Sequence, residues 1–169
     1  MEDLIQKLRE ILRRMDDDTL IESYGVLLKV LRDRKIIRTK NVVGDMGETR
    51  ALNHYKKTSS LPDLQAEPIG QKNVDAINTQ NERYSIKTTS NSTTGVFKDL
   101  NPKDSKLPQD KLFEYVIIVM FDENFSLKAI YQITWENFLI LKKWSKRHQS
   151  WYLSVSDKLR GRSDILYEI

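Results

Sequence analysis

The sequence contains no cysteine and only two histidines, His54 and His148, in 169 residues. The first absence excludes disulfides, zinc–thiolate clusters and thiol nucleophiles. The second leaves carboxylates and backbone oxygens to hold any metal, a donor set that favours Mg2+, with Mn2+ as a substitute. No window is long and apolar enough to span a bilayer. The opening "MEDLIQKLREILRRM" is acidic at its start and amphipathic, unlike a secretory signal, so a cytoplasmic chain with no membrane partner is expected. No phosphate-binding glycine loop or paired-acid cleft is visible, which argues against phosphate-monoester and sugar hydrolases.

What is present suits one ordinary domain with a helical lead-in. Hydrophobic residues make 39% and charged residues 31% of the chain, and the net charge is +4. That charge fits a polyanionic partner without demanding one. Leu4, Ile5, Leu8, Ile11, Leu12 and Met15 recur at helical spacing and predict a helix over 2–15. "DDDT" breaks it and offers Asp18 or Thr19 as the next N-cap. Residues 20–33 then carry a second stripe of Leu20, Ile21, Tyr24, Leu27, Leu28 and Leu31. This gives an N-terminal helical hairpin over 1–40, whose stripes need cover from the main body or another subunit. The rest, 41–169, is expected to form the core domain.

Along that core, a helix is expected from near Asp45, with Glu48 three residues on as a capping-box partner. Residues 58–71 contain Pro62, Pro68 and Gly70 and predict an irregular loop, so the "PD" of Pro62 and Asp63 has no strand to sit on. "NVDAINTQNERYSIKT" predicts a hairpin in which Tyr84 and Ile86 share one face, and Ser85 and Lys87 the other. "LFEYVIIVMFD" predicts a central strand, "SLKAIYQI" its neighbour, and "TWENFLILKKWSKR" a helix capped by Thr134 with Trp144 on its apolar side. A strand, or strand and turn, is expected in "SWYLSVSDKL". Together these predict an α/β (α+β) domain with a mixed central sheet flanked by helices.

Asp75 precedes Lys87 by twelve residues, a span that a tight hairpin folds back on itself. Phosphodiester hydrolysis suits that layout, since a hard cation bridges the scissile phosphate while a lysine stabilises or deprotonates the attacking water. Each residue also has a plainer reading: Asp75 as a strand-start aspartate, Lys87 as an edge lysine opposing aggregation, Glu82 as a solvated turn carboxylate and Glu67 as a solubilising loop residue.

With its aspartate at the start of one strand and its Tyr-x-x-Lys strand after a polar turn, this passage resembles the PD-(D/E)xK nuclease superfamily, in particular its small type II restriction endonucleases. "LKAIYQITWENF" and "KKWSKRHQSWYLS" look like the strand, helix and Lys/Trp-rich C-terminal segment of those enzymes. The resemblance implies a restriction-endonuclease-like core and a Mg2+-dependent endodeoxyribonuclease that cuts double-stranded DNA to leave 5′-phosphates. It implies Asp75, Glu48 and the Ile86 carbonyl as metal ligands and Lys87 as the catalytic lysine, with Ser85 orienting water. Glu48 enters because "GDMGETRA" resembles a Gly-Glu helix of several branches. Ser85 departs from the pattern: it stands where an acid or glutamine is usual, and a hydroxyl does not replace a carboxylate's charge.

Phosphate contacts are expected from the polar loop Thr88, Thr89, Ser90, Asn91 and Ser92 and from the basic C-terminal residues Lys142, Lys143, Lys146, Arg147, His148, Arg160 and Arg162. A solvated loop and a dipole-favoured helix end are their plainer readings. Cutting both strands with so small a chain calls for two active sites, hence a homodimer, with the first two helices as its interface. Two other expectations follow from Ser85 and from the helices: a catalytically inactive DNA-binding protein on the same scaffold, and a structural or regulatory interaction protein.

Overall fold

A computed structural model describes residues 2–68 and 73–169, and the chain divides into two compact units, 1–42 and 43–169. Gly70, one of the residues that marks the expected loop, lies outside the described residues.

The first unit holds α1 (Glu2–Leu12) and α2 (Asp17–Asp33). The cap of α2 is Asp16, not Asp18 or Thr19: its side chain accepts the Thr19 N–H at 2.8 Å. Asp17 and Asp18 thereby fall in the first turn, where negative charge meets the positive end of the helix dipole. Lys7 with Asp3 and Lys29 with Asp33 form i,i+4 pairs along the polar faces. The apolar faces stay open: Leu4, Ile5, Leu8, Ile11, Leu20, Ile21, Tyr24, Leu27 and Val30 are all exposed, and α2 buries no residue.

The second unit is built on a six-stranded sheet in the order β1-β2-β3-β4-β5-β8. Its strands are β1 (Leu64–Ala66), β2 (Ala76–Asn78), β3 (Arg83–Thr89), β4 (Tyr115–Phe121), β5 (Leu127–Thr134) and β8 (Asp164–Glu168). Only β3 and β4 run parallel among these neighbours; the other pairs are antiparallel. β1 corrects the expectation of an irregular loop: pairing with β2, from Leu64↔Asn78 to Ala66↔Ala76, turns a segment with little strand character of its own into an edge strand.

Every residue of β4 from Val116 to Val119 is fully buried, as a central strand covered on both faces must be. Ile117, Val119 and Phe121 join Tyr84, Ile86 and Ile130 beneath Ala51 and Tyr55 of α3 (Val42–Lys57). On the other face, Val116 and Ile118 meet Phe97, Phe113 and Leu153, with Trp135, Phe138 and Leu141 of α4 (Trp135–Leu141) and Leu159 of α5 (Asp157–Arg160). Thr134 caps α4, accepting the Asn137 N–H at 3.3 Å. That helix stops at Leu141 instead of running on through Trp144. Lys143–Ser145 form β6, which pairs with β7 (Ser150–Tyr152) in a separate two-stranded hairpin. The architecture is therefore α/β, a mixed central sheet between helices, with an N-terminal pair of helices and a second small sheet.

α3 begins at Val42, so Asp45 and Glu48 lie within the helix and not at its cap. The capping-box account of Glu48 fails on that ground. Among the described residues no helix is long and apolar enough to cross a membrane.

A carboxylate and a lysine where two strands part

β2 and β3 pair only through Ala76↔Tyr84 and Ile77↔Arg83. One step outward the Asp75 N–H still reaches the Tyr84 carbonyl at 2.8 Å, but the Asp75 carbonyl turns away to accept from the Glu67 N–H at 3.0 Å. Beyond this point β3 loses its strand partner on that edge. The Asp75 side chain fills the place, its Oδ2 accepting the Ile86 N–H at 2.6 Å and the Ser85 hydroxyl at 3.4 Å. Lys87 Nζ stands 3.8 Å from the same oxygen and donates to the Ile86 carbonyl at 3.4 Å. Asp75, Ser85, Ile86 and Lys87 thus converge on one spot.

Strand alternation explains the convergence. Ser85 and Lys87 are two residues apart, project from the same face, and pair in register with Val116 and Ile118 of β4. Their chemistry differs with depth: Ser85 is completely buried, while the side chains of Asp75 and Lys87 keep 24% and 22% of their surface in solvent. The Ser85 hydroxyl is spent on the carboxylate. Lys87 also stands over the Phe97 ring, 5.2 Å from its centroid, a cation–π arrangement that steadies a long side chain.

Gly47, the chain neighbour of Glu48, packs on β3 at Thr88. An added Cβ on Gly47 would lie 1.8 Å from Thr88 Oγ1, so α3 packs directly on Thr88 there, and Thr88 also donates to the Gly44 carbonyl at 3.5 Å. Thr88 and Lys87 alternate across β3, which sets the start of α3 on the sheet face opposite Lys87. Among the described residues no group of three or more His, Asp or Glu side chains is gathered as a metal site. The donors at the parting strands are Asp75 Oδ1, to which no described residue donates, and the Ile86 carbonyl. An all-oxygen set with one carboxylate fits a cation such as Mg2+, which keeps several of its waters.

The expected phosphate contacts separate into two groups. Thr89 is buried, its hydroxyl bonded to the Asn91 and Thr93 carbonyls, so with Thr88 it builds the turn and the helix contact. Arg160 forms a paired-donor bridge with Glu168, which also takes the Tyr131 hydroxyl. Arg162 is bonded to Asn137 at 3.4 Å. Lys142 stands 4.2 Å from the Trp151 ring centroid, and burial pulls its pKa down. By contrast Ser90, Asn91, Ser92, Lys143, Lys146, Arg147 and His148 are exposed.

Glu82 is half-buried at the turn and held there: its oxygens accept from Asn78 Nδ2 at 2.6 Å and from the Tyr115 hydroxyl at 3.4 Å. Asp63 lies ahead of β1, away from this group. Nothing in the sequence ties Phe97 to Lys87 ten residues earlier. The hairpin Trp144 and Trp151 did leave a signal, since aromatic residues flanking the polar "SKRHQS" fit two strands and a turn. Compared with known proteins, the chain matches no protein-family model and no curated protein.

Proposed function

We propose that this chain is a Mg2+-dependent endodeoxyribonuclease of the type II restriction kind, acting in the cytoplasm as a homodimer on double-stranded DNA and leaving 5′-phosphate ends. The observation that carries the reading is the meeting of Asp75, the Ile86 carbonyl and Lys87 where β2 leaves β3. A bound Mg2+ would supply charge stabilisation at the phosphate oxygens, with Asp75 and the Ile86 carbonyl as its protein ligands; α3 carries Glu48 on the face opposite Lys87, so Glu48 is left out of that set.

Within that reading the chain's own groups have separate tasks. Asp75 is oriented by the Ile86 N–H and the Ser85 hydroxyl, which leaves its other oxygen for the cation. Lys87, held between Asp75 and the Phe97 ring, directs an ammonium N–H at the attacking water or at a phosphate oxygen. Ser85 acts through Asp75 and not on the water directly. The exposed Ser90, Asn91 and Ser92 and the cations Lys143, Lys146 and Arg147 are its backbone contacts. Support for the dimer comes from the exposed apolar stripes of α1 and α2.

A second reading keeps the scaffold and the DNA but not the hydrolysis, and Ser85 favours it by leaving one carboxylate where the superfamily has two. A gel assay on varied, unmethylated duplex DNA separates the two, run with Mg2+, with Mn2+ and with EDTA. Discrete metal-dependent fragments that disappear in Lys87→Ala and Asp75→Ala, both still folded by circular dichroism, support the nuclease. Wild-type cleavage by either variant removes the assigned site, and DNA binding without cleavage selects the silent protein.

A further inference from the structure

The β6–β7 hairpin and residues 93–96 enclose a cleft of about 640 Å3, lined by Trp144, Tyr152, Lys146, Arg147, His148 and Gly95, among others. The size is that of a small-ligand site. The hairpin is fastened to the main body: the Phe97 N–H donates to the Trp151 carbonyl at 2.7 Å, and the Trp151 indole N–H to the Asn101 carbonyl at 2.7 Å. Trp144 packs edge-on against Trp151 with ring centroids 5.1 Å apart.

The turn is ordered by its own atoms. Ser145 Oγ accepts the His148 N–H at 3.2 Å, and the Gln149 side chain donates to the Lys146 carbonyl at 2.6 Å. Among the described residues no carboxylate pairs with Lys146, Arg147 or His148. The cleft therefore combines an aromatic lining with two uncompensated cations and a histidine on a prearranged turn. A flat ring joined to a phosphate satisfies both parts at once, the ring by stacking and the phosphate by charge. An acidic peptide would use the cations and leave the aromatic lining idle.

We propose that this cleft binds one unpaired nucleotide of a nucleic-acid strand, its base against Trp144 and its phosphate on Lys146 and Arg147. The proposal does not need hydrolysis, and so stands apart from the Asp75–Lys87 reading. Gly95 offers a clean way to close the cleft. An added Cβ there meets nothing within 4 Å, so a side chain leaves the backbone into open space.

The test uses the full chain in EDTA with an eight-nucleotide single-stranded DNA and the blunt duplex of the same sequence. Affinity is followed by anisotropy and the ring contact by tryptophan emission. The single strand is expected to bind more tightly than the duplex and to quench emission. Trp144→Phe should lose most of the quench while keeping affinity, and Trp144→Ala should weaken binding about tenfold. Gly95→Leu should weaken it by a similar factor, and Lys146→Ala with Arg147→Ala should also flatten the salt dependence. Equal affinity for duplex without quenching, or an unaffected Gly95→Leu, overturns the proposal. Adding Mg2+ in a separate assay keeps the two ideas apart. A chain that binds the strand but never cuts duplex loses only the nuclease reading, and one that cuts duplex with no quench loses only this one.

Discussion

Residues 2–33 and residues 135–141 carry apolar side chains at the same three and four residue intervals, yet Leu8, Ile11, Leu20 and Leu27 are exposed while Trp135, Phe138 and Leu141 are buried. The difference does not lie in helix periodicity. α4 has partners within its unit, the rings of Phe97 and Phe113 above all. α1 and α2 present stripes that their own unit is too small to cover, since burying a face needs a second layer. An amphipathic pattern specifies that a face be covered and is silent about what covers it.

The largest effect expected from this contrast is at Phe138. Phe138→Ala should lower the unfolding free energy by about 3–5 kcal/mol in urea melts. Leu27→Ala should change it by less than about 0.5 kcal/mol at concentrations low enough to separate protomers. A loss at Leu27 comparable to that at Phe138 would mean that the stripe is covered even in the dilute chain. At higher concentration, Leu8→Glu combined with Leu27→Glu should halve the mass seen in sedimentation while circular dichroism holds. An unchanged mass removes the helices as the interface of the proposed dimer.

The glycines sharpen the same contrast between filled and open space. Gly47→Ala forces a Cβ into Thr88 and should cost about 1–3 kcal/mol, whereas Gly95→Ala should cost under about 0.5 kcal/mol. Equal thermal midpoints for the two would contradict the packing of α3 on β3.

The smallest effect concerns pH. The Arg83 guanidinium and N–H hold the Glu114 carboxyl below the usual carboxylate range, with contacts of 3.0 and 2.7 Å. A depressed folded pKa contributes stability above the unfolded value, near 4.5, and loses it as pH falls through the folded value. Both groups are partly solvated, so about 1 kcal/mol is the scale. Glu114→Gln should accordingly flatten the acid side of the stability curve. An identical slope in the variant would assign acid sensitivity elsewhere.

Much of the fold was legible because its signals are local. Alternation in "RYSIKTT" sorted Ser85 and Lys87 from Tyr84 and Ile86, the unbroken run in β4 marked a strand covered twice, and Thr134 announced α4. The parts that were not legible depend on distant partners. β1 is a strand because β2 lies beside it, and α3 begins ahead of Asp45 and packs through Gly47 on Thr88. Trp144 sits in a hairpin and not in a helix because it pairs across strands with Trp151, ring against ring. At the site the Asp75–Lys87 pairing was readable from a twelve-residue span. The turn role of Thr89 and the Phe97 ring beneath Lys87 were not, since neither leaves a spacing to read.

The sequence by itself determined which chemistry the chain has at its disposal, oxygen donors, lysine and basic turns without thiols, and which faces of its strands and helices must be covered. The tertiary structure decided which of those groups meet. Asp75 reaches Ile86 because β2 stops pairing with β3 at Ala76↔Tyr84, short of that N–H, and a buried donor left over from a sheet has to find an acceptor.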